Sequence, residues 1–216
     1  MKPVLSIPRI SVDYDTNALV VRKVLLTNGE QGSLASQAWD AYKVDSVSVT
    51  FFIGFHDKTV CILFQVQEPE IRATYTNHLD PVYKDSCVEF FMADEAGRYV
   101  NIECNPYGAV LAGIGYSRND RVLLDPKFFS QLKIWTSMSP SDTRKGDTWE
   151  VLLQIPLEDT GMLNSEDTLE EGAFSGNIYK CGDELQKPHY ISWAPIGTPT
   201  PDFHQSSFFG TFRFTE

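Results

Sequence analysis

Four residues in the stretch from Pro81 to Gly108 have the types and spacing to do chemistry: Glu89, Asn101, Glu103 and Asn105. Two segments of period-2 alternation flank the turn at Asp94-Glu95-Ala96-Gly97 and predict a β-hairpin. Val88, Phe90 and Met92 alternate with Cys87, Glu89 and Phe91, and Val100, Ile102 and Cys104 alternate with Tyr99, Asn101, Glu103 and Asn105. The apolar sets belong together on the core side, because a slip of one residue would bury the polar set instead. The turn then places Glu89 opposite Glu103, Phe91 opposite Asn101 and Val88 opposite Cys104. Cys87 and Cys104 point to opposite faces and are poorly placed to bridge. Directly opposed carboxylates lie roughly 5 Å apart at Cβ. They repel, so a cation, a metal, a shared proton or a ligand is expected beside them. Arg72, Lys84 and Arg98 are the candidate cations.

What must hold this hairpin is a set of further strands. "VSVTFFIGF" (residues 47–55), "TVCILFQVQE" (59–68), "LKIWTSMS" (132–139) and "DTWEVLLQIP" (147–156) read as strands, "GAVLAGIG" as another and "FFGTFRF" as a closing one. "HDK" reads as a turn containing His56, and "PSDTRKGD" (140–147) as a polar turn. Helical periodicity is scarce: "DPKFFSQL" and "PLEDTGML" are each good for a turn or two. The expected class is all-β, an antiparallel β-sandwich of two sheets with long loops and few short helices, in one domain over residues 1–216. The acidic stretch from Glu158 to Glu171 reads as a solvated loop. Residues 177–207 are rich in Pro, Gly, His and aromatics and read as a long ordered loop with a functional role. Asn177 and Lys180 are assigned to it as residues that close a site, and Trp193 to the core.

Composition narrows the partners. A formal net charge of −11 disfavours nucleic acid and anionic membrane surfaces. No apolar run has the length of a membrane span, and the start "MKPVLSIPRISVDYD" has no apolar signal region. A cytoplasmic protein and a processed exported form both fit. The four cysteines form no CxxC pair and the four histidines no HExxH, so no metal site is expected from spacing. The glycines of "GAVLAGIG" lack a following Gly-Lys-Ser/Thr and form no phosphate cradle; no GxSxG elbow is present.

"PVYKDSCVEFFM", followed by "YVNIECNPYGAVLA" and by "GNIYKCGDELQKPHYISWAPIGTPTPDFHQSSFFGTFRF", resembles the family 9 carbohydrate-binding modules, and more closely their DOMON-like relatives of the Bacteroidetes type. The likeness runs from about Trp39 to the end. It implies a β-sandwich that binds a sugar without catalysis, clamps it between two aromatic rings and fixes it with polar side chains. The first ring position matches Tyr83, where a relative has Trp, and the motif Glu matches Glu89. The second ring position falls at Phe203 or His204, again in place of Trp. The resemblance implies no cofactor, although structural calcium occurs among relatives, with ligands unmatched in this chain. The expected partners are a saccharide and, beside it, glycan-degrading enzymes.

The candidate ligand-binding set is therefore Arg72, Tyr83, Glu89, Asn101, Glu103, Asn105, Asn177, Lys180, Phe203 and His204. Arg72 offers a fork of donors to a hydroxyl or to Glu89. Other readings stay open. The polar face is the wet side of a sheet. Glu89 and Glu103 are the carboxyl pair of a glycoside hydrolase, whose retaining form needs a separation of roughly 5 Å. Or the chain is a degenerate DOMON-type domain for another small ligand or a protein partner. Haem, as that ligand, wants an axial His or Met, and Met92 faces the core while His78 lies in a loop.

Overall fold

The computed structural model describes residues 2–139, 147–170 and 172–216. The turn expected over 140–147 lies almost wholly outside these residues, and Glu171 also lies outside them. Strands dominate, as the period-2 alternation requires. They are β1 (Val4–Pro8), β2 (Glu30–Ser33), β3 (Ser48–His56), β4 (Thr59–Glu68), β5 (Cys87–Ala93), β6 (Tyr99–Cys104), β7 (Val110–Gly115), β8 (Val122–Leu123), β9 (Lys133–Ser139), β10 (Asp147–Pro156), β11 (Phe174–Cys181), β12 (Tyr190–Ser192) and β13 (Gly210–Thr215). One sheet has the order β2-β3-β4-β10-β9 and is antiparallel throughout. The other has the order β1-β13-β11-β5-β6-β7-β8, with β12 added to the end of β11. Only its edge pair β1–β13 is parallel.

The sandwich closes because its central strands carry apolar residues at every second position. Val49, Phe51, Ile53 and Phe55 of β3 and Val60, Ile62 and Phe64 of β4 face Val88, Phe90 and Met92 of β5 and Val100 and Ile102 of β6 in one core. The β3–β4 turn is tight: Asp57 takes the left-handed conformation at φ 46°, which short polar side chains tolerate. His56 is the last residue of β3 and is buried, so it is not part of the turn as expected.

Each sheet is also covered on its outer face, and the two covers differ in legibility. The first sheet lies under α1 (Ala18–Asn28), an 11-residue helix absent from the sequence expectation. Its signals are weak: Val20, Val21 and Val24 are β-branched, with no acidic residue in the first turn and no basic one in the last. Asn17 caps it by accepting from the Leu19 N–H at 2.9 Å. Packing decides the matter, since Val21 and Leu25 are fully buried against Cys61, Leu63 and Leu152. That cover explains why β4 is apolar on both faces over Cys61–Phe64. The short helix α2 (Pro126–Gln131) forms as expected behind its Asp125 cap, whereas "PLEDTGML" makes turns that bury Leu157, Met162 and Leu163. The acidic stretch keeps Glu166 and Asp167 in solvent but is pinned by Lys58, whose Nζ reaches Glu158 Oε1 at 2.7 Å and the Asn164 carbonyl at 2.9 Å.

The second sheet lies under residues 182–209, which pack Ile196, Phe203 and Phe209 onto Phe91, Tyr99 and Tyr179. The face bearing Glu89 and Glu103 is thus buried and is not the wet side of a sheet. The expected loop from residue 177 also starts later. Asn177 and Lys180 belong to β11, and their alternation sends them to opposite sides. Asn177 faces outward and straps the cover down, donating to the Ala194 carbonyl at 3.0 Å and accepting from the Ala194 N–H at 2.8 Å. Lys180 faces inward and is fully buried. Its Nζ pairs with Glu68 Oε2 at 2.9 Å and donates to the Cys181 carbonyl at 2.9 Å. Trp149 Nε1 donates to Glu68 Oε1 at 2.6 Å. Because Glu68 and Trp149 come from the opposite sheet, this buried ion pair joins the two layers.

Truncating one partner of such a pair leaves an uncompensated buried charge. Lys180→Met should lower the unfolding free energy by about 3–5 kcal/mol in urea titrations. Lys180→Met combined with Glu68→Leu should recover most of it. A single variant as stable as the parent would remove the ion pair from the account of sheet-to-sheet packing.

Candidate functional site

The hairpin has the register required by its apolar pattern: Glu89 opposes Glu103, Phe91 opposes Asn101, and Val88 opposes Cys104. On the other side of β5, Tyr179 opposes Glu89 and Cys181 opposes Cys87. Over this floor sits a cleft of about 200 Å³. Its walls are Tyr83 from the short turn Val82–Lys84, Arg118 and Arg121 from the connection after β7, Asp183 and Tyr190 flanking the approach to β12, and Pro201, Asp202, Phe203 and His204 from the cover.

Five of the ten sequence candidates meet here: Tyr83, Glu89, Glu103, Phe203 and His204. The other five do not line the cleft. Arg72 pairs with Asp85 at 3.3 Å and Glu184 at 2.9 Å instead of Glu89. Asn105 is fully buried. It donates to Asp85 Oδ2 and the Tyr75 carbonyl, and accepts from the N–H groups of Tyr107 and Ala109, which builds the turn after β6. Asn101 lies behind Glu103 and donates to its Oε1 at 2.9 Å, so it supports the site without facing it. Asn177 and Lys180 hold the cover and the core, as described above. Lys84 and Arg98, the other candidate cations, pair with Glu184 and Asp94.

The cation that answers the two carboxylates is Arg121, which the sequence reading did not single out. Its Nη1 lies 3.2 Å from Glu103 Oε1 and 3.2 Å from His204 Nε2. The glycines of "GAVLAGIG" make room for it. Gly113 and Gly115 stand opposite Asn101 and Tyr99, and a Cβ on Gly115 would meet the Arg121 Cα at 2.6 Å. Small residues on the strand beside two carboxylates, followed by arginines, were the available signal. The cover also spends Phe203 partly on packing, since its ring stacks on Tyr179 with centroids 4.1 Å apart. Tyr190 presents a half-buried ring to the cleft, as Tyr83 does.

Burial sets the charge state. Glu89 is held well above the usual carboxylate range by desolvation and by the facing Glu103, while the Cys181 thiol donates to its Oε1 at 3.0 Å. Desolvation also raises Glu103, to about 7, and Arg121 limits the rise. Glu103 Oε2 has no hydrogen-bond partner. His204 is pushed down to about 3 by burial and by Arg121 and Arg118, so its ring is neutral. With Arg121 donating to Nε2, the ring proton sits on Nδ1 and is given to the Tyr99 hydroxyl oxygen at 2.9 Å. Burial and mutual repulsion thus favour the protonated form of this pair, most strongly at Glu89, which lacks a neighbouring guanidinium contact such as Arg121 gives Glu103. Acceptors, an O–H donor and guanidinium donors lie together, next to aromatic rings.

One group of three His, Cys, Asp or Glu side chains among the described residues brings its ligand atoms together: Cys87, Glu89 and Cys181. Two sulfurs do not suit calcium, a hard cation that takes about six to eight oxygens.

A folded-state carboxyl with a raised pKa stabilises fully below its unfolded value, and that contribution is lost as pH rises through the folded value. For Glu103 the window runs from its ordinary 4.5 to about 7, a contribution on the order of 3 kcal/mol. Glu103→Gln should therefore gain melting temperature relative to the parent between about pH 5 and pH 8, by several degrees. Differential scanning calorimetry of both proteins across that range checks it. A constant difference would remove the buried-carboxyl account.

Residues 22–214 match the family model described as carbohydrate-binding family 9. Among solved structures, a candidate carbohydrate-binding protein from Bacteroides uniformis is similar over 100% of both chains, with 32% identity and a TM-score of 0.89. A family 9 carbohydrate-binding module from Caldicellulosiruptor kristjanssonii, in complex with glucose, matches 99% of this chain and 96% of its own at 11% identity and a TM-score of 0.61. A module of that family and organism in complex with cellotriose matches 98% and 93% at 10% identity and a TM-score of 0.58. These two share the fold. No curated protein matches. With a buried polar floor under an aromatic-rimmed cleft and a family match across most of its length, the chain belongs to carbohydrate-binding family 9.

Proposed function

We propose that the protein binds a saccharide non-catalytically in the cleft above the Glu89–Glu103 pair, taking one terminal sugar residue. The observation that supports it most is the floor: two buried, opposed carboxyls, one acid-form, with Arg121 beside them and aromatic rings around them. Sugar hydroxyls each donate and accept, so they need both kinds of partner within one small site. The acid-form Glu89 donates, Glu103 accepts, and the guanidiniums of Arg121 and Arg118 donate. The apolar C–H face of a pyranose packs on Tyr83 and Tyr190. A cleft of about 200 Å³ has the scale of one sugar ring, which suits a chain end. Asn101 positions Glu103, and Arg72, Asn105, Asn177 and Lys180 hold the surrounding frame. The family's glucose and cellotriose complexes make glucose-containing oligosaccharides the first probes.

The hydrolase reading draws on the same pair. Against it, Glu103 is tied to Asn101 and Arg121 and Glu89 to Cys181, and the family is a binding family. Incubation with aryl glycosides and oligosaccharides should release no product, and turnover abolished by Glu89→Gln would reverse this assignment.

A glycan array followed by calorimetric titration tests the binding directly. A hit should weaken by about tenfold or more in Tyr83→Ala and in Arg121→Met, corresponding to ~1–2 kcal/mol. Folded variants that bind like the parent would move the site elsewhere. A blank array, with no thermal shift from mono- or oligosaccharides, would remove the saccharide.

A further inference from the structure

Cys87 and Cys181 are far apart in sequence but occupy directly opposed positions on β5 and β11. Glu89, two residues along β5 from Cys87, points to the same side. The ligand atoms of the three all lie within 4.8 Å of one another, and Cys181 Sγ is 3.0 Å from Glu89 Oε1. From this geometry we infer that Cys87, Cys181 and Glu89 form a binding site for a thiophilic divalent cation of the zinc or cadmium kind at the floor of the cleft. The inference stands on strand register and does not rest on the saccharide reading.

The donor set selects the metal. Two thiolates and one carboxylate oxygen are the soft and borderline ligands that zinc and its heavier congener prefer over calcium or magnesium. With Zn–S near 2.3 Å and Zn–O near 2.0 Å, the ligand atoms of a tetrahedral site stand roughly 3.3–3.8 Å apart. The three ligand atoms already lie within 4.8 Å of one another, so seating an ion needs adjustments on the order of 1 Å. Cys181 and Glu89 line the cleft, which gives the ion a route in. Three protein ligands with one open position is the pattern of zinc sites that engage a further molecule.

A second observation points the same way. Glu103 faces Glu89 across the hairpin, is 2% exposed, and has no hydrogen-bond partner for Oε2. Two buried carboxyls and two buried thiols share this floor with Arg121. A dication supplies positive charge to this group of buried carboxyls and thiols. Binding to thiolates releases their protons and strengthens as pH rises. Sequence spacing hides the site, because its cysteines belong to different strands and form no local motif.

The test is titration of the reduced, metal-free full chain with cadmium alone, followed in the near ultraviolet. A thiolate-to-cadmium charge-transfer band should grow, saturate at one ion per chain and be reversed by excess zinc. Cys87→Ser and Cys181→Ser should each abolish it, Glu89→Gln should weaken it about tenfold or more, and Cys61→Ala, on the opposite sheet, should leave it intact. Circular dichroism and melting of each variant establish that it is folded. A folded parent that gives no band, or a band that survives in folded Cys87→Ser and Cys181→Ser, overturns the site. The cadmium band is read without sugar, and the glycan array without metal, so either result can fail while the other stands.

Discussion

Two carboxyls facing each other on a buried hairpin are the constraint on which the site depends. Two constraints set the register: a one-residue slip would carry Val88, Phe90 and Ile102 out of the core, and the tight turn at Asp94–Gly97 selects Glu89 opposite Glu103 among the pairings that keep them in. Once the pair is buried, its repulsion and desolvation must be met locally. Arg121 meets part of it through Glu103, Asn101 adds a hydrogen bond, and Glu89 takes up a proton. Those responses account for the other local features. The Gly113–Gly115 strand is small so that the Arg121 backbone can approach. His204 is neutral because it is buried and, second, because it shares that guanidinium. The cover of residues 182–209 keeps water from relieving the pair.

The architecture separates that strained floor from the parts that stabilise the molecule. The inter-sheet core is almost wholly apolar, with the buried ion pair of Lys180 and Glu68 within it. That pair lies on the opposite side of β11 from Cys181, so the same strand serves the core with one face and the cleft with the other. α1 covers the remaining sheet face and has no role at the cleft. Changes in the cleft that keep the inward residues of β5 and β11 packed should therefore leave the sandwich standing, which is what makes the cleft variants usable as tests.

How much of this was legible follows from which forces act locally. The strands and the β5–β6 register were readable because alternation and burial on the core side point to one pairing. The helix α1 was not, because its propensity is poor and its stability comes from packing on Leu63 and Leu152. Within the site, Glu89 and Glu103 were readable from the hairpin alone. Arg121, Asp183, Tyr190 and Cys181 were not, because their place depends on which strands become neighbours. Asn105, Asn177 and Lys180 were drawn into the candidate set by residue type. Two serve hydrogen bonds that shape loops and the third an ion pair between layers. Polar residue type marks a demand for partners, and only the tertiary structure says whether those partners are ligand or protein.

In the proposed reading, the same proton that relieves the carboxyl pair also defines what the cleft can recognise. An ionised Glu89 would place two anionic acceptors side by side and favour a cation. In its acid form it becomes a donor next to an acceptor, with Arg121 as a fixed second donor, and the floor then matches neighbouring hydroxyls on a neutral ring. The two inferences drawn for this cleft are thus opposite responses to one electrostatic problem. A proton on Glu89 leaves a floor suited to a sugar, whereas a thiophilic dication takes the place of that proton and the thiol protons and changes the floor's charge.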